Sequence, residues 1–209
     1  MRTDPCSAPS GAAGFDLDLD GISDDEEVRR GLDPLCEDSD GDRLSDAEET
    51  QWDTDPLRAD TDGDGLTDGD EVLVYGSWPD ASDSDQDGIP DGDEVRRHRT
   101  SPCSADTDRD AISDAEEIAA GLRPDVLDTD GDRLSDTFEY VDGGGNPVNP
   151  DSDGDGLGDG EEVWDYHTNP LAVDTDADGR ADGDEVRGTP ATDPLRDDSD
   201  GDGLSDGTE

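Results

Sequence analysis

The chain contains no lysine, one methionine, two phenylalanines and two histidines in 209 residues, and its Leu, Ile, Val and Phe side chains number 31, about 15% of the whole. Folding must offset a conformational entropy cost of roughly 1 to 2 kcal/mol per residue. So few large apolar groups exclude a conventional hydrophobic core. No apolar run approaches the roughly 18 residues of a membrane-spanning helix, so membrane insertion of this segment is not expected. The opening residues MRTDPCSAPSGAAGF lack the apolar stretch of a signal peptide. The histidines, His98 in RRHR and His167 in WDYHT, stand apart from any Ser or Cys nucleophile motif. With no pocket-building apolar sequence around them, the chain is not expected to be an enzyme.

What the sequence has in excess is negative charge: 64 Asp and Glu against 14 arginines, a formal net charge of -50. Such a composition on its own describes a disordered chain. It also repels nucleic acid and anionic membranes, which leaves cations as the natural ligand.

The acids are not scattered. A D-x-D-x-D start recurs at Asp16, Asp38, Asp60, Asp83, Asp106, Asp128, Asp151, Asp174 and Asp198, with spacings of 22, 22, 23, 23, 22, 23, 23 and 24 residues. Disorder needs acidic composition but no fixed register, so the period identifies a tandem-repeat protein. Residues 1–15 read as a partial linker or leader and residues 16–209 as nine repeats, the last ending at its twelfth position and read as truncated.

Numbered from its first Asp, each loop carries carboxylates at positions 1, 3, 5, 9 and 12. Alternate side chains that converge with a main-chain carbonyl at position 7 and a Glu at position 12 form the oxygen set that a hard cation takes, and the candidate ion is Ca²⁺. The candidate ligands are Asp16, Asp18, Asp20, Asp24 and Glu27; Asp38, Asp40, Asp42, Asp46 and Glu49; Asp60, Asp62, Asp64, Asp68 and Glu71. They continue with Asp83, Asp85, Asp87, Asp91 and Glu94; Asp106, Asp108, Asp110, Asp114 and Glu117; Asp128, Asp130, Asp132, Asp136 and Glu139. The last three sets are Asp151, Asp153, Asp155, Asp159 and Glu162; Asp174, Asp176, Asp178, Asp182 and Glu185; Asp198, Asp200, Asp202, Asp206 and Glu209.

Position 6 requires a sharp turn with positive φ, and Gly21, Gly65, Gly88, Gly156, Gly179 and Gly203 supply it. Arg43, Ala111 and Arg133 stand there in repeats two, five and six, at a cost of roughly 1 to 2 kcal/mol each. Those three sites are expected to bind more weakly or more cooperatively.

Position 9 opens a segment such as DDEEVRRG at 24–31, which reads as a short helix with Asp24 as N-cap, Glu27 closing a capping box and Gly31 at the end. Helices of seven or eight residues are unstable alone in water and are expected to depend on bound metal. A proline precedes each later loop by four residues, at Pro34, Pro56, Pro79, Pro102, Pro124, Pro147, Pro170 and Pro194, and predicts an extended linker after each helix. Phased apolar residues at position 7 (Ile22, Leu44, Leu66, Ile89, Ile112, Leu134, Leu157, Leu204) and position 13 (Val28, Val72, Val95, Ile118, Tyr140, Val163, Val186) predict one small apolar contact per repeat. Trp52, Trp78 and Trp164 are expected to cover the helix and linker of their own repeats, and Arg96, Arg97, His98 and Arg99 to neutralise neighbouring acids. Paired EF-hands are excluded, because position 8 is mostly Ser, Thr, Gly or Ala and the Pro-broken spacers leave no room for two helices.

The stretches DTDGDGLTDGDEV at 60–72 and DSDGDGLGDGEEV at 151–163, with linkers such as TDPLRADTD at 54–62, resemble the bacterial form of the thrombospondin type 3 calcium-binding repeat, also seen in calcium-binding acidic-repeat proteins. The resemblance covers residues 16–209. It implies an elongated, calcium-organised array of EF-hand-like loops in a secreted or cell-surface protein, often a stalk or spacer beside adhesive or enzymatic domains. It also implies at least one ion per repeat and allows two, for which the position-11 acids Glu26, Glu48, Asp70, Asp93, Glu116, Glu161 and Asp184 are candidates. Nine divalent ions would leave a charge of -32, and eighteen would leave -14. Unlike thrombospondin, the chain lacks a cysteine in every repeat, and the pair open to an oxidising compartment is Cys6 with Cys36. Repeats six and eight depart from the pattern at Phe138, Arg180 and Ala181.

The expected function is therefore calcium binding that turns a self-repelling coil into a stalk, with calcium ions and flanking domains or surface proteins as partners, no nucleic acid, and an extracellular or surface location. The alternative is a calcium buffer or sensor, or a mineral-associated acidic protein. A sensor exposes a Met-rich apolar face when loaded, and this chain has a single Met.

Overall fold

The computed structural model describes residues 14–208, so Cys6, Glu209 and residues 1–13 lie outside the described residues. The chain divides into two compact units, Met1–Ser104 and Ala105–Glu209. The first holds repeats one to four and the second repeats five to nine. Among the described residues there are eight short α-helices, a single isolated β-bridge between Asn146 and Asn149, and no longer strand.

The helices of the first unit are α1 (Asp24–Arg30), α2 (Asp46–Trp52), α3 (Asp68–Asp70) and α4 (Asp91–Asp93), the last two running on into π turns over Glu71–Tyr75 and Glu94–His98. The second unit has α5 (Asp114–Ala120), α6 (Asp136–Tyr140), α7 (Asp159–Glu161) with a π turn over Glu162–Tyr166, and α8 (Asp182–Arg187). A 3₁₀ turn over Asp206–Thr208 stands at the same place in repeat nine.

A π turn occurs in three of the four 23-residue repeats and in none of the 22-residue ones. In the 22-residue repeats the left-handed residue that ends the helix donates its N–H back to the position-12 carbonyl four residues earlier, as Gly31 does to Glu27 and Asp53 to Glu49. In the 23-residue repeats three, four and seven, Gly76, Arg99 and His167 donate to Glu71, Glu94 and Glu162, five residues earlier. The extra residue is absorbed as a π bulge after Glu. The loop before it is untouched.

Every helix is capped one residue earlier than expected. Position 8 has extended backbone and is the N-cap, as at Ser23, Ser45, Thr67, Ser113 and Ser135, while position 9 is the first helical residue. The capping boxes accordingly pair Ser45 with Glu48 and Ser113 with Glu116, which uses position 11 and leaves the position-12 Glu free to turn inward.

The linkers are folded more tightly than the extended segments expected. Each proline occupies the second place of a β-turn, closed for example by Cys36 N–H to Asp33 O (2.9 Å), Arg58 to Asp55 (2.8 Å) and Ala172 to Asn169 (2.9 Å). The fixed φ of proline suits that place as well as it suits an extended chain. The Asp or Asn before it adds a side-chain bond, as Asp55 Oδ1 accepts from Leu57 N–H.

Apolar burial is confined to small contacts. Ile22, Leu44, Leu66, Ile112, Leu134 and Leu157 at position 7 are buried, joined by Leu32 and Leu122 in the linkers. Ile89 is half-buried and Leu204 is 56% exposed. Position 13 contributes less than expected, with Val28 at 68% and Tyr140 at 54% exposure. The fully buried side chains of this protein are mostly acids.

Neighbouring repeats are joined by a backbone contact that position 10 makes possible. Gly69 N–H donates to Asp42 Oδ2 (2.6 Å), Gly92 to Asp64 (2.6 Å), Gly160 to Asp132 (2.9 Å), Gly183 to Asp155 (2.7 Å) and Gly207 to Asp178 (2.7 Å). A Cβ on Gly69, Gly92, Gly160 or Gly183 would collide with the carbonyl oxygen of the same Asp. Thr137 makes the joint with its hydroxyl, which donates to Asp110 Oδ2 at 2.8 Å. The tryptophans also reach across repeats: Trp52 and Trp78 pack edge to face with ring centroids 6.2 Å apart, and Trp164 Nε1–H donates to Arg133 O (3.3 Å). Both contacts differ from the expected cover within one repeat.

Replacing Gly69 with Ala is expected to cost about 1 to 3 kcal/mol through steric collision and the lost bond to Asp42. Thermal unfolding of the Gly69→Ala chain in saturating calcium should show a lower midpoint, and an unchanged midpoint would mean that the joint carries no stability.

Candidate metal centre

Repeat three shows how a loop is built. Position 1, Asp60, accepts from Gly63 N–H (2.7 Å) with Oδ1 and from Gly65 N–H (3.2 Å) with Oδ2. Asp62 Oδ1 accepts from Asp64 N–H (3.1 Å), and Asp64 Oδ1 from Leu66 N–H (2.6 Å). The Asp68 N–H closes the loop on Ala59 O (3.1 Å). Consecutive carboxylates thus gather the backbone N–H groups and force the chain to fold back on itself.

This winding requires two left-handed residues, not one. Position 6 has φ of +109° at Gly65 and +100° at Gly156, and the expected departures Arg43, Ala111 and Arg133 adopt +89°, +79° and +88°. Position 4 is also left-handed, at Leu19 (+70°), Gly41, Gly63, Gln86, Arg109, Gly131, Gly154, Ala177 and Gly201. The glycines at five of those nine positions are a sequence signal that attention to position 6 alone passes over.

Position 2 is a second feature missed. In eight repeats it is Ser or Thr. In repeat three Thr61 donates its N–H to Asp68 Oδ1 (2.8 Å) and its hydroxyl to Asp68 Oδ2 (2.7 Å), while Thr61 Oγ1 accepts the linker N–H of Asp55 (2.9 Å). The same relay runs through Ser39, Ser84, Thr129, Ser152 and Thr175 to Asp46, Asp91, Asp136, Asp159 and Asp182. The position-9 carboxylate therefore fastens linker, loop and helix together, with both oxygens already in use.

What remains is a set of buried carboxylate oxygens with no protein partner. Position 3 leaves Oδ2 unpaired at Asp18, Asp40, Asp62, Asp85, Asp108, Asp130, Asp153 and Asp176. Position 12 leaves Oε2 unpaired at Glu49, Glu71, Glu94, Glu162 and Glu185, and both oxygens at Glu27, Glu117 and Glu139. These eight Glu residues are 0 to 1% exposed. Where Thr or Ser stands two residues before the linker proline it donates to the other oxygen, as Thr100 does to Glu94 Oε1 and Thr168 to Glu162 Oε1 (both 3.1 Å). Leu32 and Leu122 replace it in repeats one and five.

Buried anions without partners are costly unless a cation joins them. The donor set is all oxygen, as calcium prefers. Triads such as Asp16, Asp18 and Asp20, or Asp38, Asp40 and Asp42, bring ligand atoms within 4.8 Å of one another. The residues thus fit the ion that the repeat pattern implies. Positions 1, 3 and 5 converge, with the position-12 Glu close enough to feel the charges of positions 3 and 5, while position 9 acts as a fastener. Glu209, the last candidate ligand, lies outside the described residues.

Six of the seven position-11 acids have a partner within the protein. Glu48 and Glu116 cap helices, Glu26 pairs with Arg29 and Arg30, Asp70 with Arg43, Asp93 with Arg97 (2.8 Å) and Glu161 with Arg187 (2.9 Å). Of the expected counter-charges, Arg97 serves as one, whereas Arg96 reaches the Gly65 carbonyl of the preceding repeat. Among the described residues Cys36 and Cys103 form no disulfide, and Cys6, the expected partner of Cys36, lies outside them.

Burial, then the like charges of Asp62, Asp64 and Asp91, push the Glu71 carboxyl up to about 9. The same causes raise Glu49, Glu94, Glu117, Glu139 and Glu162 to about 8, and Glu27 and Glu185 to about 7. Asp40, Asp62, Asp108 and Asp130 are raised to about 6.

The bacterial TSP3 repeat model matches residues 16–35, 38–59, 60–77, 83–97, 151–172 and 198–209, just over half of the chain. The chain belongs to that family of tandem calcium-binding repeats. No curated protein matches it. Among solved structures, "Biofilm associated protein - B domain" shares 44% identity over 22% of this chain and 11% of that chain, with a TM-score of 0.21. "Biofilm associated protein - BSP domain" shares 49% over 20% of this chain and 7% of that chain, with a TM-score of 0.20.

Two outcomes are expected. For the ion-free chain, carboxyls whose folded pKa is raised stabilise the fold below their ordinary value near 4.5, and this is lost as pH rises through about 7 to 9. Circular dichroism in EDTA should therefore show more helix at pH 5 than at pH 9, and calcium should remove the difference. Substituting Ala111→Gly removes a left-handed Ala and should stabilise the calcium-loaded chain by about 1 kcal/mol, read as a higher thermal midpoint.

Proposed function

We propose that the protein is a calcium-dependent structural spacer, in which ions bound at EF-hand-like loops, joined by proline-turned linkers, convert a self-repelling chain into an ordered extended array. The observation that carries this reading is the repetition, in every described loop from repeat one to repeat eight, of buried unpaired oxygens at positions 3 and 12. A protein whose buried side chains are mostly anions gains little cohesion from apolar packing. Binding free energy then serves as folding free energy, loop after loop.

Positions 1, 3, 5 and 12 would hold the ion in each loop, and calcium supplies the positive charge that brings them together. The array suits a location where calcium is abundant, because sites filled at millimolar extracellular concentrations need dissociation constants of only about 10⁻⁴ to 10⁻³ M. We place it outside the cell or at its surface, holding apart or presenting flanking domains of a larger polypeptide, with adhesion the function such domains would perform. Nothing in the acidic surface favours nucleic acid. Among the described residues no helix is long and apolar enough to cross a membrane.

Small-angle scattering in EDTA and in millimolar calcium tests this reading. A change from an expanded coil to a rod-like profile with a defined cross-section is expected. A coil in both conditions would reduce the loops to a store of cations.

A further inference from the structure

In six repeats one linker residue is fastened to the position-12 Glu. It stands two places before the linker proline, and its backbone N–H donates to the carbonyl of that Glu: Leu32 to Glu27 (2.9 Å), Thr54 to Glu49 (3.1 Å), Thr100 to Glu94 (3.3 Å), Leu122 to Glu117 (2.8 Å), Thr168 to Glu162 (3.2 Å) and Thr192 to Glu185 (3.1 Å). The residue lies five places after Glu in repeats one, two and five, six places after it in repeats four and seven, and seven in repeat eight. The longer repeats therefore change the path of the chain and keep this contact.

The side chain at this place is of two kinds. Where it is Thr or Ser, its hydroxyl donates to Oε1 of the same Glu: Ser77 to Glu71 (3.3 Å), Thr100 to Glu94 and Thr168 to Glu162 (both 3.1 Å), Thr192 to Glu185 (3.0 Å) and, at the longest distance, Thr54 to Glu49 (3.5 Å). Each of those five Glu residues keeps only Oε2 without a partner. Where the place is held by Leu32, Leu122 or, in repeat six, Gly145, there is no hydroxyl, and both oxygens of Glu27, Glu117 and Glu139 are buried and unpartnered. All eight Glu residues are 0 to 1% exposed, so exposure does not separate the two kinds.

A carboxylate that gives an ion both oxygens widens the ligand shell, which suits Ca²⁺ with its roughly six to eight oxygens, whereas Mg²⁺ demands a small octahedral shell and is served by single oxygens. A hydroxyl that donates to Oε1 orients the carboxylate and leaves Oε2 to face the ion. We propose that the residue two places before the linker proline sets the ion preference of its own loop. Leu32, Leu122 and Gly145 make repeats one, five and six sites that take Ca²⁺ and discriminate strongly against Mg²⁺. Thr54, Ser77, Thr100, Thr168 and Thr192 make repeats two, three, four, seven and eight sites that discriminate less. These hydroxyls are positioning residues, since they touch the ligand and not the ion. The inference rests on the calcium reading above and adds to it which loops stay calcium-loaded when the smaller ion is abundant.

The test titrates Mg²⁺ into the calcium-loaded full chain and follows two amides by NMR, Ile22 in repeat one and Leu157 in repeat seven, each bonded to the position-5 Asp of its loop. Both repeats keep glycine at position 6, which makes them a matched pair. In the wild-type chain Mg²⁺ should displace calcium from repeat seven at a concentration about tenfold lower than from repeat one. Thr168→Val, which removes the hydroxyl and keeps the branched shape, should bring repeat seven to the behaviour of repeat one, and Thr168→Ser should keep the wild-type response. Leu32→Thr should lower the calcium preference of repeat one. Equal displacement from the two repeats in the wild-type chain overturns the proposal, and that comparison holds even if a variant does not fold. A Thr168→Val chain whose repeat seven loses affinity for both ions alike also overturns it, because the hydroxyl would then support the carboxylate without selecting the ion. A wild-type chain whose loops respond to neither ion would instead reject the loop sites and the spacer reading with them.

Discussion

Everything in this fold depends on bringing like charges together. Each loop winds its backbone by directing N–H groups onto Asp oxygens, so every turn that shapes the loop also concentrates negative charge inside it. The N–H groups of Gly63, Gly65, Asp64 and Leu66 donate to carboxylate oxygens of Asp60, Asp62 and Asp64. One oxygen each of Asp62 and Glu71 is left buried without a partner. In a conventional domain the interior attracts itself. Here the interior repels itself until something positive enters, and that inversion explains both the scarcity of apolar residues and the short helices, which packing alone would not sustain.

The same chemistry makes the repeats depend on their neighbours. Asp42, Asp64, Asp132 and Asp155 each serve the loop they belong to and also accept the position-10 N–H of the next repeat. A joint built on a ligand is sensitive to whether the ligand is in place, so order at one loop favours order at the next, as in other arrays with nearest-neighbour coupling. Ala47 shows the contrast. It occupies position 10 of repeat two, and Asp20 Oδ2 in repeat one has no hydrogen-bond partner.

Much of this is legible in the amino-acid sequence alone. The fixed register of nine D-x-D-x-D starts defines the repeat and its boundaries, because ion coordination tolerates no slippage within a loop. The positive φ at Arg43, Ala111 and Arg133 follows from their place in that register. What the linear order hides are relations that skip between segments: Thr61 relaying linker to helix, Trp52 packing on Trp78, and Asp70 and Glu161 pairing with arginines of other repeats. A linear pattern shows which oxygens exist. It does not show which of them the backbone has already used, and that accounting decides which are free to bind.

The distribution of length variation makes the same point from the other side. No loop between positions 1 and 12 gains or loses a residue, while the segment after Glu takes up one extra residue as a π turn in repeats three, four and seven. In repeat six, also 23 residues long, the helix stops at Tyr140 and a Gly-Gly-Gly run follows. The 24-residue repeat eight ends its helix at Arg187 and bends through 188–190. A hydrophobic core tolerates changes wherever volume is conserved; an ion site tolerates them wherever no ligand moves. The linker and the end of the helix hold none of the acids at positions 1, 3, 5 and 12, so they vary, and they do so without disturbing the position-12 carboxylate from which each of them departs.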